Sequence, residues 1–300
     1  MPRRFIVFAD SFDENNGGVI ALHRLCDLLN RGGQQARLWP ARKPLYDEAH
    51  RGEYALAAWR WYRRAWRRPY RTCPVFHTPL ATRADLEGAI VVYPEIVHGN
   101  PLRARHVVRW LLHKPGFHKG RVEYGPDDRY FFYQKAFDDP ALNPDGGDNL
   151  LKTVWVRDDV YKTVNTGARR GSAYILRKGK GRTLVHDLKD SVLVDKLPHS
   201  QLAQVFNRVQ TCISYDAYTM YSLYAALCGC VSIVVPEPGV TKEQWYPDPK
   251  DRYGLAYGFD DIAHAIETQP LLLPHLKAQE SRSNASVQAF VEKCERYFPA

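Results

Sequence analysis

The 300-residue sequence has no uninterrupted apolar run of the roughly eighteen residues that a membrane-spanning helix requires. At its N-terminus Arg3 and Arg4 precede an apolar run, but Asp10 and Asp13 cut that run short of the core of a signal peptide. A soluble or peripheral protein is expected. Cysteine is sparse and scattered: Cys26, Cys73, Cys212, Cys228, Cys230 and Cys294 form no CxxC pair and no histidine-linked spacing, which argues against a zinc site. Thiols held in the core of a cytosolic protein are the expected state. Internal repeats and long low-complexity tracts are missing too, so neither a solenoid nor a long linker is expected.

What the chain does have is apolar content and positive charge. Hydrophobic residues make up 45% of it, and its length suits about two domains of ~150 residues. The net charge of +9 favours an anionic partner, which could be nucleic acid, an anionic membrane surface or a phosphorylated substrate. Charge alone does not choose among them.

Apolar runs alternate with helical patterns. "RRFIVFAD" suits a strand buried on both faces of a parallel sheet. A polar, glycine-bearing turn follows, and then Ile20, Leu22, Leu25, Cys26, Leu28 and Leu29 recur at helical spacing until Gly32 and Gly33 stop the helix. "QARLWP", "PVFHTPL", the run from Ala89 to Tyr93 and "DRYFFYQ" read as further strands. The segment 100–116 reads as a helix with Val107, Val108, Leu111 and Leu112 inward, and 137–149 as an exposed connection. Near Asn165 the pattern restarts with "AYILRKGKG", a strand leading into a basic, glycine-rich turn. It continues through "SQLAQVFNRV", "TCISY", "YTMYSLYAALCG" and "CVSIVVP" as helix, strand, helix and strand. A helix in "DIAHAIE" and a final amphipathic helix in "NASVQAFVEKCERYF" complete the chain. The class is α/β with parallel sheets, in two Rossmann-like domains, 1–168 and 169–300, facing a cleft.

Ligands of such sheets lie beyond the carboxyl ends of the strands, where glycine admits close backbone approach and helix N-termini favour anions. In "ILRKGKGR", Arg177 and Lys178 follow a strand directly; a fork of donors beside a point charge suits a pyrophosphate, although a solvated basic hairpin is the plainer alternative. In "SYDAYTMYSLYAALCGC" a strand ends at Asp216 and a helix starts near Thr219. Thr219 suits either a helix cap or a phosphate contact, and Asp216 either sugar hydroxyls or the same cap. Gly17 and Gly18, before the first helix, could let donor phosphates approach, or only form a turn.

The order of these motifs, together with "GGVIALHRLCDLLNRGG", "VVYPEIVHGNPL" and "VVPEPGVTKEQWYPDPKDRYGLAYGFDDI", resembles the GT-B glycosyltransferases that assemble lipopolysaccharide core and other bacterial surface polysaccharides. The resemblance spans nearly the whole chain. It implies a metal-independent sugar transferase without a cofactor, with an acceptor-binding first domain, a nucleotide-sugar-binding second domain, and a last helix crossing back to the first. In that family's terms Arg177 and Lys178 neutralise the donor diphosphate, and Asp216, Thr219, Ser222 and Tyr224 lie around the donor. Tyr224 stands where many retaining members carry a second glutamate for the ribose. An inverting transfer also needs a base. The first half offers Asp13 and Glu95 at strand ends, with Asp10 and His98 beside them; His23 reads as packed. The resemblance further implies a glycan or lipid-linked acceptor and a place at the cytoplasmic face of the membrane.

One segment stands apart. "WRWYRRAWRRPYR", Trp59 to Arg71, packs six arginines and five aromatic residues into thirteen positions. At about 100° per residue, Trp59, Tyr62 and Trp66 share one helical face, and Arg60, Arg64, Arg67 and Arg71 a neighbouring one; Pro69 ends or kinks the helix. Trp59, Arg60, Arg63, Arg64, Trp66 and Arg67 are thus candidates for docking on an anionic membrane or a phosphorylated acceptor. Nucleic acid is a third partner and the less favoured one, since no nucleic-acid-binding signature accompanies the segment. Rings packed on the domain core beneath solvated arginines are the plain alternative. A non-enzymatic polyanion-binding protein is the competing function.

Overall fold

The computed structural model describes residues 2–299 apart from 47, 119 and 145–147, the last three within the expected connection 137–149. The chain divides into two compact units, residues 1–155 with 281–300, and residues 156–280. Segment 156–168, assigned from sequence to the first domain, falls in the second unit: Tyr161 lies in that unit's core, and Val164 and Asn165 donate their backbone N–H groups to Asn207.

The first unit holds the parallel strands β1 (Arg4–Ala9), β2 (Gln35–Pro40), β3 (Ile90–Pro94), β4 (His106–Leu111) and β5 (Arg129–Phe132), in the order β2-β1-β3-β4-β5. The period of two along β1 explains its continuous apolar run: Phe5, Val7 and Ala9 enter one core cluster, Ile6 and Phe8 the other. Helix α1 (Gly17–Arg31) starts where the Asn16 side chain accepts from the Val19 N–H, and the chain reverses at Gly33 with φ 81°. Helix α2 (Arg51–Arg67) is the only other long helix before the second unit among the described residues.

Two expectations fail here. Segment 100–116 contains strand β4 rather than a helix. Its apolar pairs fit either period, and pairing with β3 decides: Val108 and Trp110 enter one cluster, Val107 the other. "PVFHTPL" contributes only an isolated bridge between Leu38 and Leu80, because Pro74 and Pro79 remove ladder donors around it.

The second unit repeats the plan with β6 (Ser172–Ile175), β7 (Ser191–Leu193), β8 (Thr211–Ser214), β9 (Val231–Val234) and β10 (Leu255–Tyr257), in the order β10-β9-β8-β6-β7. Helices α3 (His199–Arg208), α4 (Met220–Leu227) and the short α5 (Lys242–Trp245) intervene. The two C-terminal helices read from sequence are one, α6 (Ile262–Tyr297), running through Pro270 and Pro274. From Ser281 onward α6 belongs to the first unit, where Val287, Phe290, Val291 and Cys294 complete a core cluster.

Each sheet has one place where strand order reverses. In the first it lies between β1 and β3, in the second between β6 and β8. Connections leaving such a pair diverge to opposite faces and open a crevice at the carboxyl ends.

Candidate functional site

Strand β6 runs directly into a single turn of 3-10 helix, Arg177–Gly179, at the switch point of the second sheet. Arg177 holds a left-handed backbone, φ 39°, a conformation that costs a non-glycine residue about 1–3 kcal/mol. Asp195, after β7, stabilises it by accepting from the backbone N–H groups of Leu176 at 2.9 Å and Arg177 at 2.8 Å. The turn presses onto the end of β8: a Cβ on Gly179 would stand 2.0 Å from the Tyr215 carbonyl oxygen. No residue but glycine fits there without moving backbone.

The Arg177 side chain lies with its guanidinium carbon 4.5 Å from the centre of the Tyr221 ring and its Nε 4.0 Å from Asp216 Oδ2. That leaves it 23% exposed, while Asp216 is buried. Asp216 also accepts from Tyr218 N–H at 3.2 Å and, through its other oxygen, from Lys178 N–H at 3.5 Å. Its carboxylate therefore organises the turn and holds Arg177 by charge. The Lys178 side chain is exposed. The turn thus carries two adjacent cations, Arg177 beside the buried Asp216 and the exposed Lys178, a pair of a kind suited to a diphosphate.

Thr219 is the N-cap of α4, its hydroxyl accepting from Tyr221 N–H at 3.3 Å. Ser222, in the first turn, is buried, and its hydroxyl has no hydrogen-bond partner among the described residues. Tyr224 departs from its expected place beside the donor. It lies in the core, its ring stacked on Tyr161 at 3.8 Å and 5°, because one helical turn carries it to the inward face of α4.

Arg182 was not singled out in the sequence, yet it closes the same edge. Its guanidinium donates to the carbonyls of Tyr215 at 2.8 Å and Val235 at 3.2 Å and also to that of Pro236, joining the ends of β8 and β9. Asp195 was also missed; the signal was an acid directly after the apolar "SVLV", the pattern of Asp216 after "TCISY".

At the first switch point, Glu95 follows β3 and is buried. Its Oε2 accepts from Leu112 N–H at 3.1 Å and its carbonyl from the Tyr124 hydroxyl at 2.7 Å, so it ties the ends of β3 and β4 together. Burial first, then the Glu95 charge, pushes the Tyr124 phenol above its usual range and keeps it a donor. Asp13 is exposed, and accepts from Asn15 N–H at 2.9 Å. Asp10 is exposed too, 3.7 Å from Arg42. His98 faces Glu123, Nδ1 to Oε2 3.8 Å. Gly17 and Gly18 form the start of α1 in this same unit; a Cβ on Gly18 would meet only ordinary contacts at 3.4 Å and 3.6 Å. His23 is fully buried, Nε2 3.0 Å from the Asp10 carbonyl, and burial lowers its pKa, so it donates there as the neutral imidazole.

Beneath Glu95 lies a residue the sequence hid. Arg109, at the centre of β4, is fully buried: Nε donates to Asp128 at 2.6 Å, one terminal nitrogen to the Val97 carbonyl at 2.7 Å and the other to that of Gly99. It sits between the rings of Tyr93 and Tyr124. An arginine inside "HVVRWL" was the available sign. Its donors fix the loop that follows Glu95.

Helix α2 keeps its expected place but begins earlier than the tryptophan-rich stretch and buries no residue. Trp59, Tyr62 and Trp66 are exposed, at 54%, 70% and 85%. The alternative in which these rings pack on the core fails, because Tyr54, Ala57, Ala58, Trp61 and Ala65 form the inward, half-buried side instead. Among the described residues, no helix is long and apolar enough to cross a membrane.

No protein-family model matches the chain, and no curated protein matches its sequence. Solved structures do resemble it. A mutant of the Thermobaculum terrenum O-GlcNAc transferase aligns over 99% of this chain and 68% of its own, at TM-score 0.50 and 13% identity. The T4 phage BGT in complex with its UDP-glucose substrate aligns over 99% of both chains, at TM-score 0.46 and 8% identity. The glycosyltransferase SnogD from Streptomyces nogalater aligns over 97% of this chain and 99% of its own, at TM-score 0.40 and 14% identity. At 13% identity the likeness to the O-GlcNAc transferase establishes the fold alone, two Rossmann-like α/β units.

Proposed function

We propose that the protein is a glycosyltransferase that takes a sugar from a nucleotide-sugar donor bound by the second unit. The observation that carries this reading is the turn Arg177–Gly179 at a strand-order reversal, with the Arg177 side chain against Tyr221 in the first turn of α4, Lys178 exposed beside it, and Asp195 and Asp216 holding the turn through its backbone N–H groups. In the transfer, the acceptor's hydroxyl oxygen bonds to the sugar's anomeric carbon, the bond from that carbon to the diphosphate oxygen breaks, and the diphosphate leaves with the electron pair. Arg177 and Lys178 neutralise the charge that develops on it, the part a metal plays in other transferases. Thr219 offers its hydroxyl at the N-terminus of α4 for the same phosphates.

The first unit takes the acceptor in this reading. An inverting reaction moves the acceptor's hydroxyl proton to a carboxylate, and of the carboxylates at the first switch point Asp13 and Glu95 are the candidates in this reading. The acceptor is a glycan or lipid-linked saccharide of bacterial surface polysaccharide or lipopolysaccharide core, reached at the cytoplasmic face of the membrane. The exposed aromatic and basic side of α2 supports that location.

The test is nucleotide release from a panel of UDP-, GDP-, dTDP-, CMP- and ADP-sugars, with bacterial glycolipid extract as acceptor. One donor is expected to be consumed, and an Arg177→Ala/Lys178→Ala double variant to lose about a thousandfold or more in turnover. Undiminished turnover in the double variant would sink the assignment. The net charge and the exposed arginines of α2 favour one competing function, a polyanion-binding protein without catalysis. That function requires oligonucleotide affinity that falls steeply with salt.

A further inference from the structure

Helix α2 has three distinct sides. Its half-buried residues Tyr54, Ala57, Ala58, Trp61 and Ala65 face the first unit. Trp59, Tyr62 and Trp66 form a stripe about 60° wide on a second side. Arg60, Arg63, Arg64 and Arg67 occupy the third, with the Arg63 guanidinium carbon 5.0 Å from the centre of the Trp59 ring. Between Arg51 and Arg71 the chain carries seven arginines against one acid, Glu53. A helix built for stability alone has no use for three large rings in water, and no residue of α2 is fully buried.

The C-terminal attachment shows where this surface lies. Just after α2, the Tyr70 hydroxyl donates to the carbonyls of Ala9 and Asp10, both at 3.2 Å. Arg71 N–H donates to Ser11 Oγ at 2.9 Å, and Phe12 N–H to the Arg71 carbonyl at 2.8 Å. The end of α2 is thus fastened to the loop that follows β1, the loop of Asp10 and Asp13. Tyr70 lies four positions beyond Trp66, at most about 14 Å of chain.

We propose that α2 docks the protein on an anionic phospholipid bilayer, with Trp59, Tyr62 and Trp66 in the headgroup layer and Arg60, Arg63, Arg64 and Arg67 on lipid phosphates. A convex helix side fits a plane: its rings enter the interface together while the arginines beside them reach phosphates at the same depth. Single-stranded nucleic acid is bound in basic grooves with rings along the floor, and α2 presents a ridge. A two-fold contact between copies through α2 would bring like charges together. The docking carries the β1 loop to the membrane surface, where a lipid-linked acceptor resides; this consequence rests on the transferase reading above, whereas the docking itself does not need it.

The experiment is co-sedimentation of the full chain with vesicles of phosphatidylcholine alone or of phosphatidylcholine and phosphatidylglycerol in equal amounts, without sugar nucleotide. Three proteins are compared: wild type, Trp59→Ala/Tyr62→Ala/Trp66→Ala and Arg60→Ala/Arg64→Ala/Arg67→Ala. Wild type is expected to partition onto the anionic vesicles far more than onto neutral ones. The arginine variant should lose about a hundredfold and the aromatic variant about tenfold or more. Every position changed is exposed, so folding, checked by circular dichroism, should be retained. Wild type that ignores anionic vesicles, or variants that bind them as wild type does, would overturn the proposal. So would a single-stranded oligonucleotide that binds more tightly than the vesicles and displaces them. Donor binding measured on wild type separates the two claims: donor binding without vesicle binding contradicts the docking surface alone, and vesicle binding without donor binding contradicts the donor site alone.

Discussion

The two sheets share one topology, and the groups at their two reversal points are held in opposite ways. At the second, the acids are consumed by backbone N–H groups: Asp195 takes those of Leu176 and Arg177, Asp216 those of Lys178 and Tyr218. Arg177 lies over the Tyr221 ring, 23% exposed, and Lys178 is exposed. At the first, the base is consumed: Arg109 spends its donors on Asp128 and on the carbonyls of Val97 and Gly99. Asp10 and Asp13 then face solvent there, and Glu95 closes the strand ends. The same fold thus presents cations at one crevice and carboxylates at the other. The sign is set by which charge the loop backbone has already satisfied.

Four substitutions break or sharpen this contrast. The largest effect is expected from Arg109→Leu, which strands the buried Asp128 carboxylate and frees the loop after Glu95. About 3–5 kcal/mol of stability should be lost in urea denaturation, with donor binding by the second unit affected only through unfolding. A variant as stable as wild type would show that Arg109 does not organise the first crevice.

Gly179→Ala should cost about 1–3 kcal/mol, because its Cβ would collide with the Tyr215 backbone carbonyl. It should also displace the Arg177 turn, so thermal melting and nucleotide affinity ought to fall together. An unchanged melting temperature would contradict the close packing of that turn on β8.

The pH dependence tests the first crevice through His23. Burial depresses its folded-state pKa, so between that value and the unfolded value near 6.5 the unfolded chain binds the extra proton. The stability it contributes is fully present above about pH 6.5 and is lost as pH falls, with a slope of at most about 1.4 kcal/mol per pH unit. His23→Gln should flatten the stability profile below about pH 6.5; a profile as steep as wild type would assign the slope to other groups.

The smallest change is Trp66→Ala, at a ring that is 85% exposed. Its stability should stay within about 0.5 kcal/mol of wild type. A larger loss would mean that the ring is covered by the protein and unavailable to a partner.

Much of this was legible in the sequence. The continuous apolar runs of β1 and β3 identified buried parallel strands, because strands covered on both faces need no polar alternation, and the basic turn was read directly after β6, where it lies. Strand β4 was misread since Val107, Val108, Leu111 and Leu112 satisfy helical spacing as well as a two-sided strand; only pairing with β3 discriminates, and pairing is non-local. Tyr224 was misplaced for a related reason: a position on a short helix near a site says little about which side it faces. The roles of Arg109, Asp195 and Arg182 depend on backbone groups distant in sequence, which no spacing rule reveals. On α2 the pattern was plain, and exposure settled which side of it faces outward.

The central claim is that the crevice between β6 and β8 holds a nucleotide diphosphate through Arg177 and Lys178. Isothermal calorimetry of UDP, GDP, dTDP, CMP and ADP on wild type and on the Arg177→Ala/Lys178→Ala variant tests it most directly. One nucleotide is expected to bind saturably to wild type and about a hundredfold or more weakly to the variant, two charge-assisted contacts having been removed. Equal binding to both proteins, or binding of no nucleotide to wild type, would contradict it.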